Sequence, residues 1–184
     1  MYGKLQQIVK EPSPVLRARA KELPIKEITS RHIQELLGSM KKTLKSTSDG
    51  VGLAAPQVGE PLRLFIVSGE AEEIDRLSKE KLSPEEKEEK RKTHKERDWK
   101  YYVFINPVVK NKSRIKVDGP EGCLSVPGKY GDVKRLQKIT VEAYDEHRKK
   151  FTRGASNFFA RVVQHELDHL EGILFIDKAE NLTG

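Results

Sequence analysis

The stretch QHELDHLEG, residues 164–172, constrains the fold of this 184-residue chain more than any other feature. His165 and His169 are four residues apart, and four residues of an α-helix span roughly 400° of rotation. Both imidazoles therefore share one helix face and can bind one metal ion, with Glu166 about 100° away beside an open coordination position. Two ordinary histidines on a helix would match the same pattern, so a third ligand is needed to support the metal site.

The third ligand cannot lie where zinc proteases with this pattern place it, further along the chain. Only 15 residues follow His169, position 175 is phenylalanine, and the last glutamate is Glu180 in a short tail. The single cysteine, Cys123, lies in GPEGCLSVPG, where glycines permit a tight turn that directs a thiolate towards a metal. A small buried hydrophobic residue is the alternative for a lone cysteine. We favour the interpretation of Cys123 as the third metal ligand. The remaining histidines are expected on a surface helix, in the charged segment described below and in a turn (His32, His94 and His147).

The segment GVGLAAPQVG, residues 50–59, is a second candidate for contact with a ligand. Its closely spaced glycines and two alanines allow a backbone to approach a bound molecule, and Gln57 follows them. A tight structural turn explains the same residues equally well. The segment lacks the remaining glycine and the βαβ context of a dinucleotide site.

Hydrophobic periodicity predicts an α+β fold with an antiparallel sheet and a single domain over residues 1–184. Ser30 and Ser156 are plausible N-caps, and Gly172 is expected to end the second helix. Helices are expected at 30–48 and 157–171, and strands at 62–69, 101–109, in a hairpin over 138–153 and at 173–177.

The segment at about 70–100 differs from the rest in composition. It holds 10 basic and 11 acidic residues, and between Pro84 and Trp99 it has no apolar residue to bury. Ser83 and Glu86 form a capping-box pattern with Pro84 at the first helical position. We interpret the segment as a solvated helical insertion that lacks a buried face, with disorder as the alternative.

The remaining composition limits the class of protein. The basic excess of +8 outside 70–100 has few interleaved aromatic residues, which favours a solvated surface over sequence-specific nucleic-acid binding. No apolar run approaches the 18 residues of a membrane span, and neither a secretory signal nor a transit peptide is visible. One cysteine suits a reducing compartment. A cytoplasmic location is therefore expected.

Three segments, taken in order, resemble the peptide deformylase family. GVGLAAPQ, EGCLS and QHELDHL match the family segments Gly-x-Gly-Leu-Ala-Ala-x-Gln, Glu-Gly-Cys-Leu-Ser and Gln-His-Glu-x-Asp-His-Leu. EPSPVLRARA and VPGKYGDVKR are similar to further family stretches, so the likeness covers nearly the whole chain. The resemblance implies antiparallel sheets packed around a C-terminal metal-binding helix.

The resemblance also implies an activity, the hydrolysis of the formyl group from the N-terminal formylmethionine of new polypeptides. Cys123, His165 and His169 would hold one divalent metal ion, usually Fe²⁺, which Zn²⁺, Ni²⁺ or Co²⁺ can replace. Glu166 would act as general base and then as general acid. Three protein ligands leave the open position that a catalytic site requires.

Further positions carry over from the family or follow from their chemistry. Gln57, through its side-chain amide, and Leu124, through its backbone N–H, would form the oxyanion hole. Arg135 can pair with Glu121 and fix the cysteine loop, although a surface ion pair is the alternative. The resemblance implies backbone contacts between the substrate and both Gly52 and Gly122. An apolar slot for the methionine side chain can be formed by Val51, Phe158 and Val162, although ordinary core packing is the alternative for these three residues.

Two departures from the family pattern stand out. Tyr130 occupies the position, seven residues after the cysteine, where many relatives carry an arginine thought to meet the substrate backbone, and Lys129 is a candidate substitute. The segment at 70–100 is also longer than the family usually places there.

Alternatives from other classes remain at this stage. A non-catalytic module with a structural metal site, docked on the ribosome, would have no use for Glu166 or Gln57. A metallopeptidase that cuts internal bonds would need an extended cleft. The expected partners are formylmethionyl nascent peptides and the ribosome surface, and the chain is expected to be a monomer.

Overall fold

The computed structural model describes residues 3–80, 83, 85–86 and 100–184. The helices are α1 Arg31–Lys45, α2 Glu70–Lys79 and α3 Asn157–Leu170. The strands are β1 Gly52–Ala54, β2 Leu64–Ser68, β3 Tyr101–Lys112, β4 Lys116–Val117, β5 Pro120–Cys123, β6 Val126–Asp132, β7 Arg135–Leu136, β8 Lys138–Tyr144, β9 Lys150–Ser156 and β10 Glu180–Thr183.

The largest sheet has five antiparallel strands in the order β1-β2-β3-β8-β9. The predicted hairpin forms β8 and β9, in which Ile139, Val141 and Ala143 are buried at every second position. The predicted α+β class with antiparallel sheet is confirmed. A three-stranded sheet, β10-β6-β5, and the pair β4-β7 complete the strands of the described residues.

The large sheet lies between two helices, which explains why β2 is buried at all five positions. Successive strand residues point to opposite faces of a sheet. Phe65 and Val67 accordingly pack in one cluster with Val163 of α3. Ile66 packs in a second cluster with Met40 of α1. Helix α3, which carries the two histidines, is thus fixed against the sheet by its apolar residues.

Helix α1 follows the predicted pattern. The Ser30 hydroxyl accepts a hydrogen bond from the backbone N–H of Ile33 at 3.4 Å, as an N-cap does. The helix buries the periodic apolar residues that predicted it, namely Ile33, Leu36, Leu37, Met40 and Leu44.

The prediction of a strand at 173–177 is wrong. Phe175–Asp177 is a 3-10 helix, and the Asp177 carboxylate accepts a hydrogen bond from the Leu174 N–H at 2.9 Å. Leu174 and Phe175 are consecutive and both buried, in a cluster with Val126. A half-buried strand would bury only alternate residues. The last strand is instead Glu180–Thr183, which pairs with β6.

The expectation that 70–100 lacks a buried face is wrong for its first part. Residues Glu70–Lys79 form α2, with Ala71 and Leu77 buried. The predicted capping box is present, because the Ser83 N–H donates to Glu86 at 2.8 Å and the Glu86 N–H donates to the Ser83 hydroxyl at 3.2 Å. The predicted continuation over 87–99 lies outside the described residues. A deletion from residue 72 onwards would therefore remove packed structure, not only solvated chain.

Within the described part of the chain, none of the helices has the length and hydrophobicity of a membrane span.

Candidate metal and active site

Cys123, His165 and His169 come together where the end of β5 meets α3. Their ligand atoms all lie within 4.8 Å of one another. The Cys123 Sγ is 3.3 Å from the His169 Nε2, and the two imidazole centroids are 5.0 Å apart. Among the described residues this is the one such group of histidine, cysteine and carboxylate side chains. One thiolate and two imidazoles form a donor set that fits Zn²⁺, Fe²⁺ and neighbouring transition metals.

Glu121 orients one of these histidines. Its carboxylate lies 2.9 Å from the His165 Nδ1, which leaves the Nε2 free to face the metal position. The Arg135 guanidinium donates to both carboxylate oxygens, at 2.8 and 2.9 Å. Burial raises the pKa of Glu121, but the hydrogen bonds from Arg135 and His165 outweigh it and lower the pKa to about 2. Glu121 is therefore a permanent anion that holds the imidazole in place.

Arg161 and Asp168, which the sequence did not suggest, complete this buried network. The Arg161 Nη1 donates to Glu121 at 2.9 Å and to the Val133 carbonyl at 2.7 Å. The Asp168 carboxylate accepts from Arg135 at 2.5 Å. Arg161 could have been found in the sequence, because it lies four residues before His165 on the same helix face.

Glu166 is 3% exposed, and its Oε2 has no hydrogen-bond partner among the residues that the structure describes. Burial raises the pKa of Glu166 to about 7. A carboxyl group of this kind can both accept and donate a proton near neutral pH. Gly52 of β1 lies directly against it, since a Cβ atom built on Gly52 would be 2.3 Å from the Glu166 Oε1.

This contact predicts a large effect of Gly52→Ala. The added methyl group forces the Glu166 carboxylate to move and meets the Val162 Cγ1 at 3.0 Å, whereas no candidate metal ligand is among its three nearest atoms. We expect kcat to fall about 10-fold or more, since a well-placed base contributes ~100- to 10,000-fold, with metal content unchanged. Gly154→Ala is the matched control, because a Cβ there meets no atom within 4 Å. Equal activity of the two variants would contradict the role given to the Gly52 contact.

Gln57 is 1% exposed, and both ends of its amide are held. The Oε1 accepts from the Ala54 N–H at 2.9 Å. The Nε2 points at the Cys123 Sγ, 3.5 Å away, and at the Ser125 hydroxyl, 3.2 Å away. The backbone N–H of Ser125 also faces the Cys123 Sγ, at 3.4 Å. An amide donor and the backbone around Leu124 thus converge beside the metal position. Ser125 is a third residue, after Arg161 and Asp168, that the sequence did not suggest.

A pocket of about 120 Å³ opens beside Glu166. Pockets for drug-sized ligands are far larger, roughly 300–1,000 Å³, so this one suits a single side chain. All five residues predicted to meet the substrate line it, together with three members of the buried network, Glu166 and Pro120. The lining residues are Val51, Gly52, Pro120, Glu121, Gly122, Phe158, Arg161, Val162, His165 and Glu166.

Gly52 and Gly122 each lie on an edge strand, because β1 and β5 pair on one side only in the described sheets. The Ser68 N–H donates to the Val51 carbonyl, and the Val133 N–H donates to the Gly119 carbonyl. Hydrogen-bonded and non-hydrogen-bonded pairs alternate along an antiparallel ladder. The backbone N–H and C=O groups of both glycines therefore point away from their partner strands, where an extended peptide can pair with them.

Tyr130 lies opposite Gly122 on β6 and is 53% exposed. Its ring occupies the space that a side chain at position 122 would need, because a Cβ built on Gly122 would be 2.8 Å from the Tyr130 Cε1. An aromatic ring thus stands beside the β5 edge, at the first of the two departures from the family pattern.

Comparison with known proteins places these features in one family. The profile of a family described as polypeptide deformylase matches residues 5–184. The chain is 38% identical over 174 residues to "Peptide deformylase 1A, chloroplastic/mitochondrial" of Arabidopsis thaliana, covering 95% of this chain and 61% of that protein. It is 40% identical over 177 residues to a peptide deformylase of Symbiobacterium thermophilum, covering 96% of this chain and 67% of that protein.

A solved structure supports the same assignment. The class I type b peptide deformylase of Acinetobacter baumannii, crystallised with Met-Ala-Ser bound, superposes with a TM-score of 0.75 at 29% identity. The match covers 95% of this chain and 98% of that one.

Proposed function

Because this chain belongs to the polypeptide deformylase family, we propose that it hydrolyses the formyl group from the N-terminal formylmethionine of new polypeptides. The products are formate and a free amino group. The observation that carries this proposal is that Cys123, His165 and His169 lie together, while a buried Glu166 lines one pocket with His165. A structural metal site would recruit a fourth protein ligand and would not need a buried carboxyl group beside it.

The three candidate ligands would hold one divalent metal ion, which supplies an activated water molecule at neutral pH when bound. Glu166 takes a proton from the attacking water and returns it to the leaving amine, since an amide anion is too poor a leaving group to depart alone. Attack on the formyl carbon puts negative charge on its oxygen. The Gln57 amide and the Leu124 N–H donate to that oxygen, and losing one such donor typically costs ~3 to 4 kcal/mol.

The substrate binds as an extended peptide in this proposal. The methionine side chain enters the pocket between Val51, Phe158 and Val162. The peptide backbone pairs with the outward-facing groups of Gly52 and Gly122, which fixes the formyl group near Glu166. The Acinetobacter enzyme binds Met-Ala-Ser, and the same tripeptide would be the deformylated product here.

Formate release from formyl-Met-Ala-Ser by protein purified without oxygen tests this function. Acetyl-Met-Ala-Ser and peptides cleavable only at internal bonds are the controls, because an acetyl group enlarges the reacting centre and an internal bond needs a longer cleft. We expect formate from the formyl peptide alone. A protein that holds its metal ion but releases no formate would support the alternative of a structural metal module, and cleavage of internal bonds would indicate a peptidase.

We propose Fe²⁺ as the native metal, with Zn²⁺, Ni²⁺ or Co²⁺ able to replace it. Both Fe²⁺ and the thiolate of Cys123 can be oxidised, so exposure to air should inactivate the iron form. The nickel form should survive the same exposure, which activity assays on both forms over several hours would show. Isolated protein that contains zinc, is fully active and withstands air for days would contradict the iron assignment.

We also propose a cytoplasmic monomer that docks on the ribosome. A groove of about 950 Å³, separate from the pocket, favours a polyanionic surface because seven basic and three acidic residues line it. Co-sedimentation with ribosomes that weakens as the salt concentration rises would support this proposal. No co-sedimentation at any salt concentration would contradict it. The charged lining residues are Arg19, Glu22, Arg63, Lys112, Lys116, Lys134, Arg135, Asp168, Glu171 and Lys178.

A further inference from the structure

The first turn of α3 obtains its hydrogen-bond acceptors from a distant part of the chain. The first N–H groups of any helix have no partner within the helix. Ser156 occupies the N-cap position, but the expectation that its side chain caps the helix is wrong, since it makes no such hydrogen bond. Asp75 of α2 takes this role. Its Oδ1 accepts from the Phe158 N–H at 2.8 Å and its Oδ2 from the Phe159 N–H at 3.1 Å.

Helix α2 is itself fixed to the large sheet. The Glu72 carboxylate accepts hydrogen bonds from the Tyr102 hydroxyl and the Arg153 guanidinium, both at 2.5 Å. The Arg153 guanidinium lies over the Tyr102 ring, 3.7 Å from its centroid, which adds a cation–π contact. Ala71 and Leu77 are buried beneath the helix. Asp75 is therefore presented by a packed helix.

The hydrogen bonds from Asp75 act on the wall of the substrate pocket. Phe158, whose N–H it holds, lines that pocket with Val162 one turn later. His165 lies two helical turns beyond Phe158, and Glu121 holds it independently. A carboxylate at a helix N-terminus also interacts favourably with the helix dipole.

We propose that Asp75 is a positioning residue for substrate selection, which sets the place of Phe158 and so the shape of the methionine pocket. This inference rests on the proposed deformylase function. Asp75 does not touch the reacting atoms, so it affects how well the methionine side chain is held and not how fast the bound formyl group is hydrolysed.

The test compares Asp75→Ala and Asp75→Asn with the wild type, all loaded with the same metal. Loss of a capping residue corresponds to about 2- to 30-fold in an equilibrium constant, so we expect KM for formyl-Met-Ala-Ser to rise by about that factor in Asp75→Ala. We expect kcat and metal content to stay within about twofold of the wild type. The preference for formyl-Met-Ala-Ser over formyl-Ala-Ala-Ser should fall. Asp75→Asn, which keeps one acceptor oxygen, should be intermediate.

Glu73→Ala is the matched control, because the Glu73 carboxylate pairs with Arg76 of the same helix. A lower Tm of Asp75→Ala with unchanged KM and unchanged preference would overturn the proposal, as would a fall in kcat alone. If Asp75→Ala does not fold, the KM and preference of Asp75→Asn decide the question.

Amide exchange separates this proposal from the proposed function. The amides of Phe158 and Phe159 should exchange faster in Asp75→Asn than in Glu73→Ala, whatever the protein hydrolyses. If the wild type releases no formate but the two amides exchange faster in Asp75→Asn, the deformylase function is refuted. The hydrogen bonds between Asp75 and α3 would still be supported. Normal formate release with unchanged exchange and KM in Asp75→Asn would refute the positioning role alone.

Discussion

Replacing Glu166 with alanine is expected to lower kcat by ~100- to 10,000-fold, the range that general acid–base catalysis supplies, while the metal ion stays bound. The Glu166 carboxylate is buried and lines one pocket with His165, without belonging to the group of candidate ligands. Its loss removes the acceptor for the proton of the attacking water and the donor for the leaving amine. Metal analysis and steady-state kinetics on the same preparation should show an unchanged metal content together with a strongly reduced kcat.

Glu166→Gln sharpens this comparison because it keeps the volume of the side chain and removes only its ability to transfer a proton. We expect it to be as inactive as Glu166→Ala. If either variant keeps more than about a tenth of the wild-type activity, well above the general range, Glu166 is not the base and the metal site must be interpreted as structural.

Replacing Cys123 with alanine is expected to have the opposite signature, loss of the metal ion and of activity together. Two imidazoles would remain, and Glu121 would still hold His165 in place, but no thiolate would face the His169 Nε2 at 3.3 Å. A metal ion that binds only the folded chain stabilises it, so added metal should raise the Tm of the wild type much more than that of Cys123→Ala. A Cys123→Ala protein that keeps about one metal ion per chain, the stoichiometry of a single site, would contradict the ligand assignment.

The parts of this structure that the sequence could predict are those that depend on local periodicity. The 3.6-residue repeat of α1 and the spacing of His165 and His169 are properties of single helices, so the face that each residue occupies follows from counting. The alternation in β8 likewise predicts which of its residues are buried. Cys123 could be found because it is the one cysteine of the sequence and has glycines beside it that permit a tight turn.

The parts that could not be predicted depend on contacts between distant segments. Helix α2 buries only Ala71 and Leu77, too few apolar residues for its charged sequence to indicate a buried face. Asp75 caps a helix by accepting from the N–H of Phe158, 83 residues later, a partnership that no local pattern records. Adjacent Leu174 and Phe175 suggested a strand, whereas tertiary packing places both in one cluster beside a 3-10 turn.

Metal titration of chelator-treated protein tests the central claim, that Cys123, His165 and His169 form a catalytic metal site for deformylation, most directly. Without oxygen, Fe²⁺ or Ni²⁺ is added in steps, and formate release from formyl-Met-Ala-Ser is measured after each addition. Formate release should rise from near zero, in proportion to the metal added, and level off at about one metal ion per chain, as one three-ligand site requires. Full formate release before any metal is added, or a protein that binds one metal ion and releases no formate, would contradict the account.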